Sequence, residues 1–236
     1  TRRSAIDRDG WVWVNFGLCV FPATEPKEAF SLGTHSPVDI SAHANLPGAW
    51  VLAYKDSGGL TAVRLRRVSG DRRKESEYAE LGPAAARVPF RPPSSEALER
   101  GPDLKLRFGT TRMATDPTGR LWLAGQNDAG TVLYVCDDTG TCQEQAALRR
   151  LVGKSTVNDI AVAEDGTVYF ATDGLGVVAF DGNEFRLHAM NEHLPVLRGT
   201  DRKPVNYVLP LSDGRVCVCT GEYLLIWSPE DQPEHR

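Results

Sequence analysis

A short phrase recurs along this chain: an apolar run, a turn closed by glycine, a second apolar run carrying an aromatic, then another glycine and a third run. The clearest copy reads Val157 to Val162, then Asp165-Gly166, Val168-Tyr169-Phe170-Ala171-Thr172, Gly174-Leu175-Gly176 and Val177 to Phe180. Units that repeat in this way cannot bury their apolar faces alone, so they fold by stacking on their neighbours. Aligned on the turn glycine, the copies sit at Gly10, Gly48, Gly119, Gly166 and Gly214, with spacings of 38, 71, 47 and 48 residues. Three of these spacings lie near the roughly 40–50 residues of a four-stranded propeller blade. The fourth requires an insertion.

Each copy has the same internal order. Three residues past the turn glycine stand Trp13, Trp122, Tyr169 and Cys217, with Trp50 one place early in the weakest copy. That position is predicted to be buried in the second strand of each unit. Asp9, Asp116, Asp165 and Asp213 occupy the preceding turn, where a short carboxylate bonds its own backbone and glycine supplies a positive φ. A second glycine (Gly17, Gly59, Gly130, Gly174 and, more loosely, Gly221) precedes a third strand such as Leu18 to Phe21 or Tyr223 to Trp227. Apolar alternation is incomplete there, as in strands covered on both faces. The fourth strand is faint, at Glu28 to Leu32 and Glu184 to His188, in keeping with a solvent-facing outer strand. No helical periodicity of useful length competes.

The predicted fold is therefore all-β: a single β-propeller of five blades, each of about four antiparallel strands, over approximately residues 1–33, 34–82, 104–150, 155–195 and 203–232. An irregular insertion is expected at 70–107, where a charged run, Asp71 to Glu77, leads into a stretch rich in proline and alanine. A degenerate strand at Tyr78 to Leu81 would complete the second blade. The chain opens in a first strand, Thr1 to Ile6, whereas the last copy ends its third strand near Trp227 and meets two prolines, Pro229 and Pro233. Proline suits an inner ladder poorly, so the fifth blade is expected to lack its outer strand. On this reading the chain is expected to be a piece of a larger protein, with five blades closing a ring or, alternatively, belonging to a larger one.

Composition excludes some functions. A net charge of −4 and a pI near 5.8 argue against a nucleic-acid surface, which needs a concentrated positive stripe. The one basic cluster, Arg64 to Arg67 with Arg72, Arg73 and Lys74, is followed closely by Glu75, Glu77 and Glu80. No apolar stretch is long enough to insert in a membrane, and no signal-peptide pattern opens the chain. Of five cysteines, Cys136 and Cys142 flank a turn between third and fourth strands, where a hairpin disulfide is geometrically compatible. That pair leans the localisation towards the periplasm or the exterior. Cys217 and Cys219 share a strand face, too poor a pattern for zinc, and no metal or other cofactor is expected.

The phrase Asp165-Gly166, Val168-Tyr169-Phe170, Thr172, Gly174-Leu175 and Phe180-Asp181-Gly182 resembles the repeats of the two-component-regulator propeller family, as does Asp116-Pro117-Thr118-Gly119-Arg120-Leu121-Trp122-Leu123. The likeness is to a blade motif and contains no catalytic residue. It implies an extracytoplasmic sensor or interaction domain.

In such a ring the starts of the first strands surround one mouth of the channel. Counting back from each turn glycine places there Arg2 and Arg3, Thr111 and Arg112, Asn158 and Asp159, and Asn206 and Tyr207. Loops between second and third strands add Asn15, Lys55, Asp56, Gln126, Asn127, Asp128, Asp173 and Glu222. Converging polar groups at a concave mouth make a binding site, with Arg3, Arg112, Asn158, Asp159, Asn206, Tyr207, Gln126 and Asp173 as its candidates. They would take a partner protein domain, a small polar ligand or a glycan. A five-bladed glycoside hydrolase is the enzymatic alternative. It needs facing carboxylates, and the acids among these eight candidates are Asp159 and Asp173. The five histidines share no repeating place, and no nucleophile elbow or phosphate-cradling loop is present.

Overall fold

The computed structural model describes residues 4–6, 8, 10–14, 19–22, 30–31, 37–42, 49–54, 60–67, 90–91, 111–127, 129–137 and 141–231. Its strands are β1 (Ser4–Ile6), β2 (Trp11–Val14), β3 (Cys19–Pro22), β4 (Phe30–Ser31), β5 (Pro37–Ala42), β6 (Ala49–Tyr54), β7 (Leu60–Arg67) and β8 (Phe90–Arg91). The third repeat holds β9 (Arg112–Thr115), β10 (Leu121–Asn127), β11 (Gly130–Cys136) and β12 (Cys142–Glu144), followed by helix α1 (Ala146–Val152). Then come β13 (Val157–Val162), β14 (Val168–Thr172), β15 (Val177–Phe180) and β16 (Phe185–Leu187), and finally β17 (Tyr207–Pro210), β18 (Val216–Cys219) and β19 (Leu224–Trp227).

Among the described residues, strands consecutive in sequence lie side by side in four four-stranded sheets, β1 to β4, β5 to β8, β9 to β12 and β13 to β16, and one three-stranded sheet, β17 to β19. The registers of the first, second, fourth and last sheets are antiparallel. The turn glycines Gly10, Gly119, Gly166 and Gly214 all have positive φ. Asp165 and Asp213 cap their turns through Oδ1, accepting from Thr167 N at 2.8 Å and Arg215 N at 3.2 Å. Asp116 stands two places further from its glycine. It turns inward instead, 1% exposed, and accepts from the Trp122 indole at 3.0 Å.

The chain forms two compact units, one of Thr1–Gly109, Pro117–Leu121 and Cys136–Gln143, the other of Thr110–Asp116, Trp122–Val135 and Glu144–Arg236. In the first, β1 and β2 pack on β5, and Trp13 and Trp50 are buried. Strand β8 comes from inside the stretch read as an insertion and pairs with the end of β7. The strand expected at Tyr78 to Leu81, like Gly48 and most of 70–107, lies outside the described residues.

In the second unit the fourth sheet is covered on both faces. Trp122, Ala124 and Leu133 of the third sheet, with Leu148 and Val152 of α1, bury against Val157, Ile160, Val168, Phe170 and Val178 of the fourth. The other face of the fourth sheet, with Ala171 and Val177, packs on Val208, Val216, Val218 and Trp227 of the last. Which face the neighbouring sheet covers explains one departure from the sequence reading. Trp122 is buried as expected, but Tyr169 and Cys217 are only half-buried, and their neighbours Val168, Phe170, Val216 and Val218 fill the core. In the fourth sheet, packed on both faces, either face can carry the large side chain, and in the last sheet the covered face is the one bearing Val216 and Val218. Helix α1 was not foreseen. Its signal is the pair Leu148 and Val152, four apart on one face and both buried.

A polar seam along the strand starts

In an antiparallel sheet the start of the first strand lies beside the end of the second. The fold therefore brings the openings of β13 and β17 to one edge with the ends of β14 and β18. In the second unit β13 packs against both β9 and β17, so three consecutive edges are neighbours. Hydrogen bonds run along them. Arg112 donates through Nε to the Asn158 carbonyl at 2.6 Å and through Nη1 to the Thr111 carbonyl at 2.8 Å. Asn158 then donates through Nδ2 to the Val205 carbonyl at 2.9 Å. The bond from Arg112 to Asn158 ties the third sheet to the fourth, and the bond from Asn158 to Val205 ties the fourth to the segment leading into the last.

Local structure sets these directions. The pairing of β13 with β14 shifts between Val157 and Asp159, leaving Asn158 as the extra residue of a bulge. Bulges re-aim side chains, and this one frees the Asn158 amide to reach the following repeat. Asp159 stays in the ladder and is buried, its Oδ2 accepting from Val208 N at 3.2 Å. Gln126, at the end of β10, donates through Nε2 to Thr156 Oγ1 at 2.9 Å and to the Lys154 carbonyl at 3.1 Å. Asp173 meets Arg202 at 2.7 Å, and the same guanidinium donates to the Asp173 carbonyl.

Of the eight sequence candidates, the structure thus links Arg112 directly to Asn158 and places Gln126, Asp159 and Asp173 on the same succession of strand edges. Tyr207 opens β17 with its side chain exposed, and Asn206 is anchored through its backbone N–H to the Cys219 carbonyl. Arg3 lies outside the described residues, as do Asn15, Lys55, Asp56 and Asp128. The sequence reading missed Arg202, Thr156 and Lys203, whose Nζ donates to the Asn191 carbonyl. Nothing in the repeat marks them, because they belong to connections between sheets. Both carboxylates of the candidate rim already hold partners, one a backbone amide and the other a guanidinium. Cys136 and Cys142 are joined as a disulfide across the β11–β12 turn.

A second polar cluster centres on Asn191, buried in a 3-10 turn after β16. Its Oδ1 accepts from Val177 N at 2.8 Å and its Nδ2 donates to the Val177 and Leu175 carbonyls. His188 caps the same turn, its Nδ1 accepting from Met190 N, with its ring edge-on to Tyr169 and Trp227. Burial, and secondarily the Arg186 charge, lowers the His188 pKa to about 4.

No protein-family model and no curated protein matches this sequence. Among solved structures, the extracellular domain of BT4673 from B. thetaiotaomicron, described as a one-component system, matches at TM-score 0.52 and 12% identity over 94% of this chain and 26% of that one. A second structure of that extracellular domain, described as belonging to a hybrid two-component system, matches at TM-score 0.52 and 13% identity, over 96% of this chain and 27% of that one. The chain therefore spans about a quarter of the length of these two structures. No described helix is long and apolar enough to cross a membrane. What the likeness shows is the fold: this chain is all-β and propeller-like, built from antiparallel sheets.

Proposed function

We propose that the repeated sheets are blades of a propeller and that the chain is a non-enzymatic sensor or binding module, presenting its polar seam to a small polar ligand, a glycan or a partner protein. The observation that carries this reading is the succession Arg112, Asn158, Val205. Side chains and backbone groups from three consecutive sheets meet along one edge, with Gln126, Asp173 and Tyr207 beside them. Such edges offer convergent donors and acceptors on rigid strands, the usual chemistry of a recognition site. The engagement of Asp159 and Asp173 favours recognition over hydrolysis, because glycoside hydrolysis needs two carboxylates free to face the scissile bond. The solved neighbours are described as extracellular domains of one- or two-component systems, which supports a sensor role. The Cys136–Cys142 disulfide supports an extracytoplasmic setting.

The test is a titration with a panel of neutral and acidic oligosaccharides and short peptides, followed by amide chemical shifts. Binding should perturb residues 111–112, 156–159, 173 and 205–207, and Arg112→Ala should weaken it at least tenfold while the protein still melts cooperatively. Binding abolished by deleting residues 72–102, with the seam unperturbed, would instead make the 70–107 excursion the docking element. Release of reducing sugar from any oligosaccharide would reinstate the hydrolase.

A further inference from the structure

The last sheet has one face packed and one face open. Registers place Tyr207 opposite Cys219 and Cys219 opposite Leu224, and likewise Leu209 opposite Cys217 and Cys217 opposite Ile226. Directly opposed residues share a face, so these six side chains form a two-by-three apolar grid. Tyr207 is 55% exposed, Leu209 59%, Leu224 69% and Ile226 48%, with the two thiols half-buried between them. The reverse face, bearing Val208, Val216, Val218 and Trp227, is buried against the fourth sheet.

The repeat tells what the open face is for. In the fourth sheet the residues at the same register are Asp159, Ala161, Tyr169, Ala171, Val177 and Ala179. That is the face covered by the last sheet. In the third sheet the corresponding face, with Ala114, Trp122 and Ala124, is covered by the fourth. Each of these faces is thus covered by the sheet next in sequence. The stitching follows the same rule: Arg112 donates to a carbonyl of the following sheet, Asp159 accepts from Val208 N, and Asn158 donates to the Val205 carbonyl. Their counterparts in the last repeat are Tyr207 and Asn206. The Asn206 side-chain amide makes no hydrogen bond among the described residues.

We propose that the Tyr207–Ile226 face is the seat of a further sheet of this same repeat, carried on the same polypeptide, whose packing face resembles Val208, Val216, Val218 and Trp227 and whose first strand takes the Asn206 amide. Its continuity with the two sheet-on-sheet interfaces already present, both made in cis and in chain order, selects this occupant over a second copy or an unrelated partner.

Cys217 and Cys219 are built-in reporters, read site by site by mass spectrometry after maleimide labelling. In the 236-residue chain both thiols should label within about tenfold of a free thiol's rate, independently of protein concentration, and Leu224→Lys should leave Tm unchanged. A second protein replaces everything after Trp227 with a copy of residues 181–231, in which the copied Cys217 and Cys219 are serine. The added sheet should slow labelling of the original thiols at least tenfold, and Leu224→Arg in the original sheet should restore it. Slow labelling of the 236-residue chain, or a lower Tm for Leu224→Lys, would mean the face is already covered and would overturn the proposal. Labelling that falls as concentration rises, with a dimer by light scattering, would assign the face to a second copy. Unprotected thiols in an extended protein that still melts cooperatively would equally refute it.

Discussion

Asn191 occupies the space over Gly176: a Cβ built at position 176 would lie 2.3 Å from Asn191 Oδ1, and Gly176 itself has a φ of +80°. The glycine lets the amide reach Val177 N and close the corner between β14 and β15. Gly176→Ala adds both a strained φ and this clash, and should cost about 2–4 kcal/mol in urea unfolding. Gly182→Ala, with positive φ but open space around its Cβ, isolates the backbone term and should cost about 1 kcal/mol. Equal losses would mean that Asn191 is not the constraint.

His188 titrates differently folded and unfolded. Its folded pKa of about 4 lies below the ordinary value of about 6.5, so the unfolded chain binds the proton more readily. The contribution is complete above pH 6.5 and is lost as pH falls towards 4. Discounted for partial exposure, it amounts to roughly 2 kcal/mol. His188→Asn keeps an acceptor for Met190 N and should flatten the stability profile between pH 6.5 and 4. An unchanged slope would place the acid sensitivity elsewhere.

Trp122 is both a core aromatic and a donor. Trp122→Phe keeps a ring to meet Phe170 and Phe180 but deletes the N–H that bonds buried Asp116. A loss of about 1–3 kcal/mol is expected from denaturant midpoints, most of it the cost of depriving a buried acceptor. A midpoint within error of the parent would show that water replaces the indole.

The seam should be coupled as well as polar. Arg112→Ala and Asn158→Ala each remove an intersheet bond, at about 1–2 kcal/mol apiece. Because Arg112 donates to the backbone of Asn158, whose side chain holds Val205, the double variant should depart from additivity by 0.5 kcal/mol or more. Strict additivity would mean the two links act independently.

The Cys136–Cys142 loop is short, with a sequence separation of 6, so its disulfide restricts the unfolded chain modestly. Replacing both cysteines with serine should cost about 2 kcal/mol on the loop-entropy scale. A Tm insensitive to reductant would contradict this.

The turn chemistry was legible in the amino acids. Asp-Gly at 165–166 and 213–214 specifies a local bond and a positive φ whatever surrounds it, and both appear. The strands of the third to fifth repeats likewise fall where apolar runs placed them, because a run flanked by such turns pairs with its neighbour. Two expectations went astray for one reason. The repeat places Tyr169 and Cys217 in the core and gives no sign of α1, because burial in stacked sheets depends on which neighbour covers which face. Local pattern carries little of that information.

The candidate site divides in the same way. That Arg112, Asn158, Asp159, Gln126 and Asp173 stand at strand ends follows from counting residues along a repeat, since antiparallel pairing alternates the ends in a regular order. That Arg112 reaches the Asn158 carbonyl, that a bulge frees the Asn158 amide, and that Arg202 claims Asp173 are outcomes of contacts between residues about 29 to 47 apart in sequence. Short-range periodicity sets the sheets, their order and their edges; partner choice across those edges belongs to packing, because a hydrogen bond a few tenths of an ångström long or short is decided by where two sheets come to rest.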